Sequence, residues 1–244
     1  IGTTSEKMWD LERKNPALLL PGMTVHFEDV THRPITVSVP KQITRTVKPK
    51  QSVPLFKITA PSLQMLIQDE GRLNQTNIGV GVAGAMDLSA MHSANRIVGN
   101  PTDTPVIEVL NGGLKAKMQH AGVIAVAGAI SNIRVKFADG QTADFASHQP
   151  IDLDEGDEFQ IQPPTAGLRN YLAVRGGIDV EPVLNSASFD SLAVLGPEPL
   201  KLGDTIYQGQ VKAANISVNE VGKSDLPRTG EVVELDIVMG PRTD

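Results

Sequence analysis

The sequence predicts a mainly β protein, a barrel or sandwich of short strands carrying one amphipathic helix, and three observations lead there. Short apolar runs recur at Leu55–Thr59, Leu63–Gln68, Val106–Leu110, Val123–Ala127, Ile133–Phe137, Phe159–Gln162, Tyr171–Val174 and Val232–Val238, separated by Gly, Asn, Asp and Pro. Asp139-Gly140 sits between two alternating runs, the strongest short-range signal for a hairpin. Asp87–Gly99 alone has a helical stripe, with apolar residues at Ala90, Met91, Ala94, Ile97 and Val98. Asp87 suits the N-cap of that helix, and Gly99-Asn100-Pro101 suits its stop.

Composition narrows the function classes. Among 244 residues, 22 Lys and Arg stand against 28 Asp and Glu, a net charge of −6. That balance argues against nucleic acid, whose binding rests on clustered cations that displace counterions, and gives no reason to expect a membrane surface. Cysteine is absent, which removes disulfides, Cys-ligated zinc, iron–sulfur clusters and thiol nucleophiles. The longest uncharged apolar run, Ala121–Ile130, is far shorter than the ~20 residues that cross a bilayer. The acidic charge, the lack of cysteine and the lack of a visible leader give the cytoplasm as the expected location.

The chain reads as three units. Residues 1–34 run through Leu18-Leu19-Leu20-Pro21-Gly22 into Thr24–Phe27, which alternates like a strand, and are too few to bury a core alone. Residues 35–54, basic and Pro-containing, read as a linker. Residues 55–244 form the main body, and both ends of the chain read as cut from something longer.

Several residue clusters could carry chemistry. Gly79-Val80-Gly81-Val82-Ala83-Gly84 matches G-x-G-x-x-G, but the loop-like Leu73–Ile78 precedes it where a dinucleotide fold needs a strand. It reads better as a glycine loop whose amides face a ligand or partner near a helix N-terminus. Gln68-Asp69-Glu70-Gly71-Arg72 is either a strand-ending turn with a local Asp–Arg pair or a group able to bind a planar amide or carboxylate. Glu108, inside an apolar run, is either on a solvent face or buried and paired. Arg175-Gly176-Gly177 reads as a turn with a cation at a strand end. The five histidines lack metal-site spacing, the serines lack a nucleophile elbow, and no phosphate-binding P-loop occurs.

In order, Gln68-Asp69-x-Gly71-Arg72, Gly79-Val80, Gly84-Ala85-Met86-Asp87, Ala94-Asn95 and Val98-Gly99-Asn100-Pro101 resemble allophanate hydrolase subunit 2, the biotin-dependent carboxyltransferase family that includes the C-type subunit of 5-oxoprolinase. Glu108 with Gly112-Gly113, Gly128-Ala129, Arg175-Gly176-Gly177-Ile178, Ser186-x-Ser188 and Leu202-Gly203-Asp204 continue the series. Ile1–Thr4, Trp9-Asp10, Pro16–Leu19 and Pro21-Gly22-x-x-Val25-x-Phe27 resemble the C-terminal end of the partner, allophanate hydrolase subunit 1 or the B-type subunit of 5-oxoprolinase. The sequence departs from the family pattern at Ala83, at Leu73-Asn74 and at Phe189.

The resemblance implies cyclophilin-like β-barrels in a fusion of a B-like to a C-like unit. It implies one component of an ATP-dependent amidohydrolase of the 5-oxoprolinase type, with a B-like region of the same parent chain, an A-like partner protein and a small amide as partners. ATP would be used by the full complex. The alternatives are the carboxyltransferase part of a urea carboxylase, where biotin would be needed, and a non-catalytic regulator of a histidine kinase. No Met-Lys carrier motif occurs here. By the same resemblance Asp69, Arg72 and Glu108 would be catalytic. Gln68, Gly79, Gly84, Asp87, Asn95, Arg175 and Ser186 would bind substrate, and no residue is expected to bind metal.

Overall fold

The computed structural model describes residues 4, 6–29, 52–222, 226–228 and 230–240. Among the described residues, eleven strands form two antiparallel sheets, with one α-helix beside them. The first sheet has six strands in the order β11 (Thr205–Tyr207), β1 (Pro54–Ala60), β4 (Lys115–Met118), β9 (Glu158–Ile161), β6 (Asn132–Lys136) and β7 (Thr142–Ala146). The second has five: β2 (Gln64–Gln68), β3 (Val106–Leu110), β10 (Ala166–Val174), β5 (Gly122–Ile130) and β8 (Pro150–Leu153). The mainly β class expected from the sequence is the class observed.

The period of two in each strand sorts the side chains. In β5 and β10, Ile124, Val126, Leu172 and Val174 point into the core with Phe56, Ile58 and Phe159 of the first sheet and Leu114, which precedes β4. Phe56 and Phe159 meet edge to face, centroids 5.3 Å apart. The alternate residues Ala125, Ala127, Tyr171 and Ala173 face the other way and carry helix α1 (Leu88–Val98). Three alanines on that face leave room for Met91, Ile97 and Val98, all fully buried. Burial on that scale stabilises by about 1.5–3 kcal/mol per large side chain. The stripe read from the sequence is the buried face, with Asp87 Oδ1 accepting from the Ala90 N–H at 3.0 Å and Gly99 ending the helix in the left-handed region.

The hairpin across Asp139-Gly140 forms, β6 pairing with β7 from Asn132–Ala146 to Lys136–Thr142. Two sequence expectations are corrected. Thr24–Phe27 and Val232–Val238 form no strand: neither pairs with another segment among the described residues, and Phe27, Val232 and Val238 are almost fully exposed. Alternation is necessary for a half-buried strand, but a ladder also needs a neighbour. Most of the 35–54 linker lies outside the described residues. After β11 the chain crosses α1, held by Ala214 N–H to the Gly99 carbonyl at 2.6 Å, Ser217 N–H to the Ile97 carbonyl at 3.1 Å and a two-pronged Arg96–Glu220 pair at 2.6 and 2.8 Å.

Candidate active site

At the end of β2 the chain turns at Gly71, where φ is +90° and a Cβ would lie 2.5 Å from the Val82 carbonyl oxygen. Only glycine suits that turn. It brings residues 69–72 against the loop 79–87: Arg72 N–H donates to the Val82 carbonyl at 2.6 Å and Ala85 N–H to the Asp69 carbonyl at 2.9 Å. The next amides along the loop are held by other strands. Met86 N–H donates to Glu108 Oε2 of β3 at 2.9 Å, and Asp87 N–H donates to the Tyr171 hydroxyl of β10 at 2.8 Å. Three consecutive amides, 85–87, are thus clasped from three directions as the chain enters α1.

Asp69 and Arg72 are both buried, and their polar atoms face the 183–188 loop. Asp69 Oδ1 accepts from the Ser186 hydroxyl at 2.6 Å, the Ser188 hydroxyl and the Gly71 N–H at 2.8 Å, while Oδ2 accepts from the Ala187 N–H at 2.6 Å. Arg72 donates from Nε to the Val183 carbonyl at 3.1 Å and from Nη2 to the Ser188 carbonyl. Burial pulls the Arg72 guanidinium below its ordinary value, and Asp190 and Asp69 act against that pull. Gln68 donates to the Phe189 carbonyl at 3.1 Å, closing the same knot.

Glu108 is 5% exposed and pairs with Arg169 of β10, Nε to Oε1 at 2.9 Å, which resolves the charge inside an apolar run as a buried, paired one. Among the described residues the Nη atoms of Arg169 have no hydrogen-bond partner, and its side chain is one-quarter exposed. On the other side of the loop, Glu70 and His92 of α1 pair at 2.8 Å with both side chains partly open to solvent. Gly84 packs on Glu70 so closely that a Cβ would lie 3.0 Å from its carbonyl carbon and oxygen.

Burial, then the charge of Glu108 and a hydrogen bond with it, push the Tyr171 phenol far above its ordinary value of 10.0, with the Asp87 amide acting the other way. A raised folded value means that the unfolded phenol releases its proton first. The stability it contributes is complete below pH 10 and is lost as pH rises beyond it, by about 1.4 kcal/mol per pH unit for one proton. Denaturant unfolding above about pH 10 is expected to show that slope, and Tyr171→Phe to remove it.

The structure therefore gathers Gln68, Asp69, Arg72 and Ser186 in one buried knot, joined to Gly84, Asp87 and Glu108 at the foot of the loop. Gly79 stands on the loop's open side. Asn95 and Arg175 lie elsewhere. Asn95 Nδ2 donates to the Thr102 and Thr104 carbonyls, and Arg175 Nη1 donates to the Val98 carbonyl at 2.7 Å, at the far end of an 11-residue helix, about 16 Å away.

Residues 78–244 match the family described as carboxyltransferase domain, subdomain A and B. The chain belongs to this family. Over 167 residues it is 35% identical to urea amidolyase of Lachancea kluyveri, a match covering 67% of this chain and 9% of that protein. Over 170 residues it is 31% identical to the C subunit of 5-oxoprolinase of Escherichia coli (strain K12), covering 68% of this chain and 53% of that one. A crystal structure of TTHA0988 superposes with a TM-score of 0.79 at 27% identity, covering 93% of this chain and 44% of that chain. The chain thus spans about half the length of the E. coli relative and about a tenth of the L. kluyveri one.

Within this carboxyltransferase domain, sequence reading missed Arg169, Tyr171 and the Glu70–His92 pair. Arg169 gave little signal because β10 begins at Ala166, ahead of the apolar run that marked it, and its register with β5 breaks between Ala166 and Asn170. Glu70 and His92 were both in view, but nothing in the spacing joined them. Asn74, a departure from the family pattern, sits at φ +60°, a left-handed turn conformation that asparagine tolerates.

Proposed function

We propose that this carboxyltransferase domain is part of an ATP-dependent amidohydrolase of the 5-oxoprolinase type, holding the amide substrate over the 79–87 loop. The observation that carries the reading is Arg169. Its Nε is fixed by the buried Glu108 carboxylate, which also holds the Met86 amide, while its Nη donors have no partner among the described residues. A guanidinium anchored in this way can donate to an amide carbonyl oxygen and stabilise the negative charge that develops there. The Glu70–His92 pair across the loop can take or deliver a proton. Asp69 and Arg72, which the family resemblance makes catalytic, act in this reading by holding the turn that supports the loop. ATP supplies the driving force in the assembled complex, with an A-like protein and a B-like unit as partners. The E. coli relative is by name a subunit, which agrees with such an assembly.

A carboxyltransferase acting on urea is the second reading, favoured by the 35% identity to urea amidolyase. The backbone at Gly79 and Gly81 is open, with nothing within 4 Å of where a Cβ would stand. In that case biotin, carried on another domain, would supply the carboxyl group. ATP-dependent glutamate release from 5-oxoproline by the parent protein with its partner tests the first reading. Arg169→Met is expected to lower kcat/KM by about a hundredfold. Turnover that depends instead on urea and a biotinylated carrier would replace the first reading with the second. Neither activity, with a histidine kinase inhibited on contact, would leave the regulator.

A further inference from the structure

We infer that the N-terminal segment around Trp9 is the upstream anchor of the glycine loop, so that the unit preceding the linker sets the shape of the site. The inference rests on the proposed function only for its catalytic consequence. Residues 8–18 close on themselves: Leu18 N–H donates to the Met8 carbonyl and Asp10 N–H to the Pro16 carbonyl, both at 2.8 Å, and Trp9 bridges Ala17. This small closed loop presents Trp9 and Leu11 to a notch made by Ile78, Val80, Leu184 and Leu195. The indole Nε1–H donates to the Ile78 carbonyl at 3.2 Å.

The position of that bond gives it consequence. Ile78 ends a 3-10 turn, Thr76–Ile78, whose own bonds run on to Gly79 N–H on the Thr76 carbonyl at 3.0 Å and Val80 N–H on the Gln75 carbonyl at 3.3 Å. Beyond it nothing lies within 4 Å of where a Cβ would stand at Gly79 or Gly81. Further along, the main body holds the loop through Arg72 N–H on the Val82 carbonyl at 2.6 Å. The turn that carries Gly79 and Val80 is thus tied to residues some seventy positions earlier, a separation of 69 between Trp9 and Ile78. Val80, 3% exposed, depends on the same cover, because Trp9, Leu11, Leu184 and Leu195 complete its apolar surroundings. An aromatic donor at position 9 therefore does two things at once: it fills the notch and satisfies the carbonyl that starts the loop.

Hydrogen exchange of the full chain tests this. Trp9→Phe keeps a ring in the notch and removes the donor; Trp9→Ala removes both. Exchange at residues 78–82 is expected to quicken roughly two- to tenfold in Trp9→Phe and further in Trp9→Ala, with the α1 amides unchanged. Loop exchange equal to that of the wild type in both variants, or α1 quickening in step with the loop, would overturn the inference. In the assembled enzyme Trp9→Phe is expected to raise KM for the amide roughly two- to tenfold with kcat retained, as loss of a positioned binding loop requires. A loosened loop with KM unchanged would overturn the catalytic consequence. Absence of any turnover in the wild-type assembly would count against the proposed function alone, while the exchange result would still decide the anchor.

Discussion

Asp69→Ala is expected to destabilise the folded chain by about 3–5 kcal/mol, the cost of opening a buried charge network on one side. The carboxylate accepts from two hydroxyls and two backbone amides, and one of those hydroxyls, on Ser188, also accepts the Asp69 N–H at 2.8 Å. Alanine strands all of these donors in a buried space that also holds the Arg72 guanidinium. Asn is not a rescue. Its NH2 would face a donor already in place, the Ala187 amide if the oxygen keeps the hydroxyls. For a domain of this size the loss corresponds to a fall in Tm of about 10 °C or more, read by calorimetry or circular dichroism. A fall of under about 2 °C would mean that the 183–188 loop closes on the turn without the carboxylate.

That network also marks how far the sequence could be read. The turn and its partners were visible as residue types: Asp69, Gly71, Arg72, Ser186 and Ser188 all stood out. Their mutual contact was not, because Asp69 and the serines lie 117 to 119 positions apart and no periodicity spans such a gap. Helix α1 was legible to within a residue, since its stripe, cap and stop are local. The β5 and β10 strands were legible for a related reason: both faces are buried, so Ile124-Ala125-Val126-Ala127 and Tyr171–Val174 read as unbroken apolar runs. Val232–Val238 had an equally good pattern but finds no partner strand among the described residues, because a strand is a relation between segments. At Glu108 sequence reading left two outcomes open, exposed or paired. The choice fell to Arg169, 61 positions away.

Glu108→Gln is expected to separate the two things that Glu108 does. Its carboxylate fixes Arg169 and holds the Met86 amide, both at 2.9 Å, and its charge adds to burial, the larger cause, in keeping the Tyr171 phenol protonated to high pH. Gln retains the size and one acceptor, but presents NH2 to either the guanidinium or the amide, so one of these donors loses its partner. The stability cost is about 1–3 kcal/mol, because Arg169 is partly open to solvent and can rehydrate. The Tyr171 titration is expected to move down towards the ordinary range, read from tyrosinate absorbance in a Tyr207→Phe background so that one tyrosine reports. If Arg169 positions the developing oxyanion, kcat/KM falls by about a hundredfold in the same variant, with most of the loss in kcat. Misplaced donors cost more in the transition state than in the ground state, where the carbonyl carries less charge. A Tyr171 shift without any loss of kcat would leave Glu108 as a support of the loop alone, and the oxyanion role would then have to move to the Glu70–His92 side.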